Sequence, residues 1–484
     1  MSNELFVSRT GPRTWAVLRE NGHLVVVRVE GTGEPPVSGR IVKAVVTKVV
    51  PGTQSAFVDL GLDRDGYLHG SELALHGDRD GDASGVRIED RIREGSDLLV
   101  QVERDPQGSK GSRVTCRIAL PGRYLVFLPR SPQGGVSRRI TDPDERERLR
   151  GVLKALAVPG GGFILRSAAE GVEADRFRAD AATLVETWAG IEGRYDRARA
   201  PSTLHTDLDL PLRILRDGPR DAPDRVFVDD PDTYRRIMEH FRETAPTVAG
   251  RLLLHSGPDP LMQAYGLEPE IDKAFRPKVW LKSGGYLVVE QTEALVSIDV
   301  NTGRFTGRRL PRDTVLATNL EAVREVARQL RLRDLGGIIV VDLIDMASPA
   351  DREQVLSEIE SVLEDDRDRT KVAGLSELGL LLLTRRRRHC GPEAWLSTPC
   401  PTCSGHGRVK SPETVACEAL AEVRRLLPSL GGRDVTVRTH PTVVREIDAV
   451  LLGDDSGIDK QHWPKIHIEA DPSLRPDHFD ILSL

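Results

Sequence analysis

The residue pattern predicts a multidomain chain of mixed α/β (α+β) class, with a small β-barrel ahead of a larger body of sheets and helices. Three observations carry this. Short β-rich runs punctuated by Pro-Gly and glycine turns occupy residues 40–70. From Asp142 onward, helical and strand periodicities alternate. The chain has 484 residues, beyond the roughly 250–300 that one hydrophobic core serves, so three or more compact units are expected.

The bulk composition sets limits. With 39% hydrophobic and 29% charged residues and no long low-complexity tract, the segments can bury ordinary cores. Met1 to Thr10 lacks a basic stretch followed by an apolar run, and nowhere do about 18 uninterrupted apolar residues occur. Neither export nor a membrane span is expected, and a cytoplasmic location is. Five cysteines, an odd number thinly spread, do not describe a disulfide framework, so a close cysteine pair reads first as a ligand pair. A formal net charge of −6 means that any nucleic-acid binding must come from local clusters. The densest are Ser137-Arg138-Arg139, Arg328 to Arg333 and Arg385 to Arg388, although such a run is more often a solvated face.

Taken in order, residues 40–70 read as three short strands broken by Pro51-Gly52 and by the Gly61 to Gly66 turn, the start of a barrel. Phe57 and Tyr67 fall on strands that bound one turn. They serve either as core rings or as surface rings on which bases stack, as in oligonucleotide-binding barrels. A Gly/Asp-rich loop from His76 to Gly85 interrupts the module, and strands at Asp97–Glu103 and Arg113–Leu120 close it. A helix follows near Asp142 to Ala157, then a glycine turn at Pro159 to Gly162 and a strand at Phe163 to Arg166. Glu293 to Asn301 alternates, so Ser297, Asp299 and Asn301 share one strand face. Thr318 to Asp334 has helical spacing and stops at Gly336-Gly337. The apolar run Ile338 to Ile344 reads as a strand buried on both faces, with Asp342 embedded in it.

A strand, a helix and a second strand make a crossover unit, and if the two strands share a sheet, Asp299 and Asp342 both lie toward their C-terminal ends. Two carboxylates there suit a hard cation such as Mg²⁺, which takes a few carboxylate oxygens, keeps several waters and completes its shell with substrate phosphate. That arrangement suits phosphodiester hydrolysis, with Asn301 either orienting the attacking water or holding a metal-bound one. Asp299 reads equally as a hydrogen-bonded structural residue. Asp342 is harder to explain that way, because an unpaired charge in an apolar strand costs several kcal/mol. Asp345 leaves the strand to cap the helix that starts at Ser348-Pro349.

Cys400-Pro-Thr-Cys403-Ser-Gly-His-Gly has the spacing of a zinc knuckle. Tetrahedral Zn²⁺ needs four ligands and the chain has no second CxxC. Cys390, His389 or His406 completes the set, or a second copy of the chain contributes its own pair, which is the preferred reading and makes a metal-linked homodimer. A redox CxxC is the competing interpretation, but such a motif normally opens a helix and here a glycine turn follows.

These segments resemble the ribonuclease E/G endoribonucleases. The resemblance runs through nearly the whole chain and is carried by PGTQSAFVDLGLDRDGYLHG at 51–70, GGVSRRI at 134–140, TEALVSIDVNTGRFTG at 292–307, TNLEAVREVARQLRLRDLGGIIVVDLIDM at 318–346 and CPTCSGHG at 400–407. It implies an RNase H-like domain split between residues 1–38 and 212–275, with an S1-type OB barrel at 39–117 and a 5′-sensor region at 118–211 inserted. A DNase I-like catalytic domain at 276–396, a zinc link at 397–411 and a small C-terminal domain at 412–484 follow.

Matched position by position, the resemblance makes Asp299 and Asp342 the Mg²⁺ ligands, Asn301 their catalytic helper, and Cys400 and Cys403 the Zn²⁺ ligands shared between subunits. It assigns Gly122, Val126, Arg166, Ser167 and Arg369 to a pocket sensing a 5′-monophosphate, Arg138 and Arg139 to further RNA contacts, and Phe57, Tyr67 and Lys110 to substrate clamping on the barrel. Ser167 stands where threonine is familiar and Tyr67 where phenylalanine is, and each keeps the needed group. The implied function is Mg²⁺-dependent cleavage of single-stranded, A/U-rich RNA, leaving a 5′-phosphate and a 3′-hydroxyl. The partners are ribosomal RNA precursors, messenger RNA and a second copy of the chain, with pairing of dimers into tetramers left open. The alternative is a non-catalytic RNA-binding assembly protein whose carboxylates are structural.

Overall fold

The computed structural model describes residues 2–31, 37–73, 87–106, 111–218, 222–303, 311–364, 366, 368, 370–386, 391–429, 433–452 and 465–483. They fall into two units, Met1–Leu396 and Ser397–Leu484.

Strands β1 (Asn3–Thr10), β2 (Arg13–Glu20) and β3 (His23–Gly31) form an antiparallel meander. Alternation sends Leu5 and Val7 into one core and Phe6 into another, so this sheet is covered on both faces. Next, β4 (Ile41–Val50), β5 (Ser55–Asp59), β6 (Gly66–His69), β7 (Asp97–Arg104) and β8 (Arg113–Thr115) pair in the order β4-β5-β6-β8-β7, and β7 returns to β4 to close a five-stranded barrel. Val42, Ala44, Val58, Leu68, Val100 and Val114 fill it. Gly66 is tightly packed there, since a Cβ would lie 2.9–3.2 Å from side-chain atoms of Leu60, Val114 and Val58, which would have to shift. The predicted strand Arg113–Leu120 is shorter than expected. Thr115 Oγ1 accepts from the Arg117 N–H (3.0 Å) and Gln101 Oε1 from the Ala119 N–H (2.9 Å), and these side-chain bonds replace the ladder. The predicted loop His76–Gly85 lies outside the described residues.

A small sheet of β9 (Leu120–Pro121), β10 (Leu125–Leu128), β11 (Gly135–Val136) and β12 (Gly162–Leu165) packs against the helices Pro143–Ala155 and Ala174–Arg197. Asp142 caps the first of these by accepting from the Asp144 N–H (3.1 Å), with Pro143 opening the helix. Strand β13 (Ser202–His205) adds to β4, and β14 (Arg225–Val228) and β15 (Leu252–Leu254) then join β1 in parallel. The first sheet is thereby completed as β15-β14-β1-β2-β3 from two distant parts of the chain.

The sheet that matters most for chemistry has the order β16 (Lys278–Trp280), β17 (Tyr286–Gln291), β18 (Leu295–Asn301), β19 (Gly337–Asp342), β21 (Leu380–Arg385), β20 (Thr370–Leu375). Only β18 and β19 run parallel among its pairs, joined by the helix Pro311–Leu332. That helix begins well before the predicted Thr318, at a proline, which suits a first turn. It and the helix Pro349–Leu363, whose N-cap is Ser348 rather than Asp345, bury Val296, Ile298, Val300, Ile339, Val341 and Leu383. They cover one face only. The opposite face is open, leaving Ile338 54% and Leu382 37% exposed, so β19 is not the doubly buried strand its apolar run predicts.

Two of the predicted basic clusters turn out to hold the unit together. Arg328 donates to Leu24 O (2.7 Å), Arg331 pairs with Glu20 (2.8 Å) and Arg333 donates to Arg276 O (2.6 Å), tying the long helix to its neighbours. Buried Arg385 donates from Nε to Asp366 (2.7 Å), and from its two Nη atoms to Asp334 (3.1 Å), Leu335 O (2.8 Å) and Asp368 (3.0 Å). Arg386 reaches Glu103 on the barrel at 3.3 Å, and Arg387 and Arg388 lie outside the described residues. Burial alone would raise the Asp366 carboxyl, but the hydrogen bond and charge of Arg385 hold it below the usual range.

In the second unit, β22 (Val435–Thr439) lies between β23 (Ile466–Ala470) and β24 (Phe479–Ser483). The helices Pro412–Leu426 and Pro441–Leu452 pack on this sheet through Val415, Leu420, Val437, Val443 and Ile447.

Arg385→Ala leaves the Asp366 carboxylate without its cation in a dry interior and lowers stability by about 3–5 kcal/mol, read as a fall in the urea midpoint at pH 7. Because the folded-state pKa of Asp366 is depressed, its contribution is present above its unfolded value near pH 4 and is lost as pH falls through the depressed folded value. The gap between wild type and variant therefore narrows in acid.

Candidate active site

The register between β18 and β19 places Asp299 directly beside Asp342. Paired residues on neighbouring strands point to the same face, with backbones about 4.8 Å apart, and both carboxylates are on the open face and exposed. Asn301, one step along, donates from Nδ2 to Asp299 Oδ2 at 2.7 Å. Asn319, fully buried on the long helix, donates to Ile344 O (2.8 Å) and accepts from Ile344 N–H (3.1 Å), pinning the chain just past Asp342. The donor set suits a hard cation that keeps several waters. Two carboxylates share a side, and among the described residues no group of three or more His, Cys, Asp or Glu side chains forms a fuller cage.

In the second unit, Ser404, Gly405 and Gly407 take positive φ (50°, 88° and 72°) and wrap the backbone around the Cys400-Cys403 pair. The Gly407 N–H donates to Cys403 Sγ at 3.3 Å. The backbone N–H groups of Cys403 and Thr402 favour the Cys400 thiolate and hold its pKa below the ordinary thiol value. His406 forms no larger ligand group with the two sulfurs, and His389 and Cys390 lie outside the described residues.

On the barrel, Phe57 and Tyr67 pair directly across β5 and β6, with ring centroids 6.0 Å apart in an edge arrangement. Phe57 is 37% exposed and Tyr67 half-buried, so both rings lie on the outer face and not in the core. Lys48 pairs with Phe57 and Arg113 with Tyr67, which extends the rings into a row with a cation at each end. Reading strand by strand misses this row because it exists only across the register. Lys110 lies outside the described residues.

Val126, Arg138, Arg139, Arg166 and Ser167 line one cavity of about 1260 Å³, bounded also by β3, β12 and the helix Leu210–Arg216. Arg369 lies outside the described residues. Gly122 sits behind the wall, its carbonyl accepting from Arg166 Nη1 at 2.5 Å. Asp180 accepts backbone N–H groups of Arg123, Tyr124 and Leu125 (3.3, 2.9 and 3.0 Å), although burial pushes its carboxyl up. Arg166 is also paired with Asp217 (2.8 Å). Burial opposes ionisation of Asp217, but Arg216 and Arg166 hold it well below the usual carboxylate range. No sequence pattern singles out Asp180 or Asp217, since their partners come from remote segments.

A closed five-stranded barrel with aromatic rings and cations on its outside, in one unit with an α/β sheet that carries paired open carboxylates, is the architecture of an oligonucleotide-binding fold joined to an α/β body. Residues 36–110 match the S1 RNA binding domain and residues 119–388 the ribonuclease E/G family. The chain is 38% identical to ribonuclease G of Escherichia coli (strain K12), with all of both chains covered. It is also 38% identical to ribonuclease G of Haemophilus influenzae over 91% of each chain, and 34% identical to ribonuclease E of that organism over 94% of this chain and 49% of the other. The chain belongs to the ribonuclease E/G family, and its likeness to ribonuclease G extends over its full length. That membership and the S1 domain support RNA binding and endoribonuclease activity. Among the described residues, no helix is long and apolar enough to cross a membrane.

Gly122→Ala would place a Cβ 2.5 Å from both Asp180 carboxylate oxygens. The expected outcome is a loss of about 1–3 kcal/mol in thermal unfolding, as for overpacked interiors.

Proposed function

We propose that the chain is a Mg²⁺-dependent endoribonuclease that cleaves single-stranded, A/U-rich RNA in ribosomal RNA maturation and messenger turnover, leaving a 5′-phosphate and a 3′-hydroxyl. The observation that carries the reading is Asp299 abreast of Asp342 on an exposed sheet face, with Asn301 hydrogen-bonded to Asp299. The two carboxylates would hold the ion, and their exposure leaves room for its waters and a phosphate. An ion held by Asp299 and Asp342 would supply Lewis-acid stabilisation of the charge that develops during phosphodiester hydrolysis. Asn301 steadies Asp299 through Nδ2 and offers its carbonyl oxygen to a proton of the attacking water. Phe57 and Tyr67 stack bases of the incoming strand, joined by Lys110.

In this reading the inserted S1 barrel and 5′-sensor interrupt an RNase H-like domain, the sheet β16 to β21 belongs to a DNase I-like catalytic domain, and a zinc link leads to the small C-terminal domain. A terminal 5′-monophosphate enters the arginine-lined cavity, where Arg166 and Ser167 grip it together with Arg369, while Arg138 and Arg139 hold the following chain. Because Arg166 already pairs with Asp217, the phosphate competes with that carboxylate, which favours a full dianion over a weakly charged end. Cys400 and Cys403, with the same pair from a second copy, would bind Zn²⁺ tetrahedrally and link two subunits.

Two measurements test this. Purified protein cuts a 5′-monophosphorylated single-stranded oligonucleotide with Mg²⁺ and stops with EDTA, and Asp299→Asn lowers kcat at least about 100-fold while still binding. Binding with no metal-dependent cutting by the parent protein would mark a non-catalytic RNA-binding protein. Separately, Cys403→Ser releases zinc and shifts the particle to monomers on sizing, and an unchanged size with zinc lost contradicts the shared site.

A further inference from the structure

The open face of the catalytic sheet carries a second feature beside the carboxylates. Register places Trp280 opposite Tyr286 and Tyr286 opposite Asn301, and Lys278 opposite Val288, which is opposite Asp299. Directly paired residues share a face, so both rings and the lysine project from the side that holds Asp299, Asn301 and Asp342. Trp280 is 64% exposed, far more than Phe57 at 37%, although tryptophan is on average a highly buried residue type. The two ring centroids are 5.4 Å apart at 60°. The Lys278 ammonium rests on both, 4.4 Å from the centre of Trp280 and 3.5 Å from that of Tyr286, and among the described residues it pairs with no carboxylate.

Such a group has little structural work to do. Strand β16 is an edge strand, and the buried face of this sheet is already filled by Leu281, Leu287 and Val289. What the neighbouring chemistry lacks is a grip. Two exposed carboxylates repel a polyanion, so a strand lying over them needs an uncharged surface for a base and a cation for the adjoining phosphate. Both stand one and two strands away from Asn301, within about 10 Å of backbone.

We propose that Trp280, Tyr286 and Lys278 form a base-stacking subsite for single-stranded RNA on the catalytic face, a proposal that rests on the nuclease reading above. A base flanking the cleaved linkage stacks on the ring pair, and Lys278 moves from the ring faces to the phosphate beside that base. Stacking tolerates every base because each offers a π-face, so the subsite positions the strand without dictating its sequence.

The test uses full-length protein carrying Asp299→Asn, so that the strand stays intact, and fluorescently labelled single-stranded oligonucleotides, each with one abasic position. Anisotropy titrations are expected to show one or two sensitive positions next to the linkage that the parent protein cuts, with affinity lowered about 5- to 150-fold, the range of about 1–3 kcal/mol for base stacking. Trp280→Ala with Tyr286→Ala produces the same loss on the complete oligonucleotide and no further loss at the abasic position, whereas Trp280→Phe retains most of the affinity. Lys278→Ala lowers the slope of log affinity against log salt by about 0.7. Unchanged affinity in the double variant, or losses that simply add to those of the abasic sites, overturn the proposal. So does a change in sedimentation with an unaltered abasic profile, which would assign the rings to contact between copies of the chain. A parent protein that never cuts, yet shows one or two sensitive abasic positions whose effect disappears in the double ring variant, upholds the subsite and refutes the nuclease reading, and one that cuts with a flat profile does the reverse.

Discussion

The parallel pairing of β18 with β19 is the constraint on which the site depends. Parallel neighbours cannot be joined by a tight turn, so the chain needs the helix Pro311–Leu332 as a crossover, and that helix must bury an apolar stripe to stay in place. Val323, Val326 and Leu330 supply the stripe. At the far end, Asn319 brackets the backbone of Ile344 with two hydrogen bonds, which sets where β19 stops relative to the helix. A slip of one residue would turn Asp342 into the core and Val341 outward. Register, more than any single contact, brings two acidic residues from distant parts of the sequence side by side.

Charge is divided between two tasks in this molecule. Most of the dense arginine segments end in internal pairs, as with Arg331 to Glu20 and Arg385 to Asp366, and hold sheets and helices together. The groups left facing solvent at the candidate sites are fewer and local: Lys48 beside the barrel rings, Arg138 and Arg139 at the cavity, and Lys278 beside the carboxylates. This is how a chain with a net charge of −6 presents cationic paths to a polyanion. It also explains why counting charges along the sequence misplaces the contacts, because a run of arginines reveals nothing about which acids lie across the fold.

What could be read from the sequence follows the range of the interactions. The alternation of Ser297, Asp299 and Asn301, the helical spacing after Thr318, the helix near Asp142 to Ala157 and the glycine turn after Cys403 are local, and the structure contains each of them. Ile338 to Ile344 misled because a continuous Ile/Val run means burial on two faces only if both are covered, and here helices cover one. The strand beginning at Arg113 ended early because two side chains captured backbone N–H groups, a competition that period-counting does not register. Asp180, Asp217, Asn319 and the pairing of Trp280 with Tyr286 were silent in one dimension, as each acquires meaning only from a partner on another element.

The central claim is that Asp299 and Asp342 hold one divalent ion together. Titration of Mn²⁺ followed by electron paramagnetic resonance, on wild type, Asp299→Asn, Asp342→Asn and the double variant, tests it most directly. The account predicts one ion bound per chain at this site in wild type, with each single substitution weakening it nearly as much as both together, the non-additivity of a shared ligand. Independent, additive losses, or binding that survives either substitution, would contradict it.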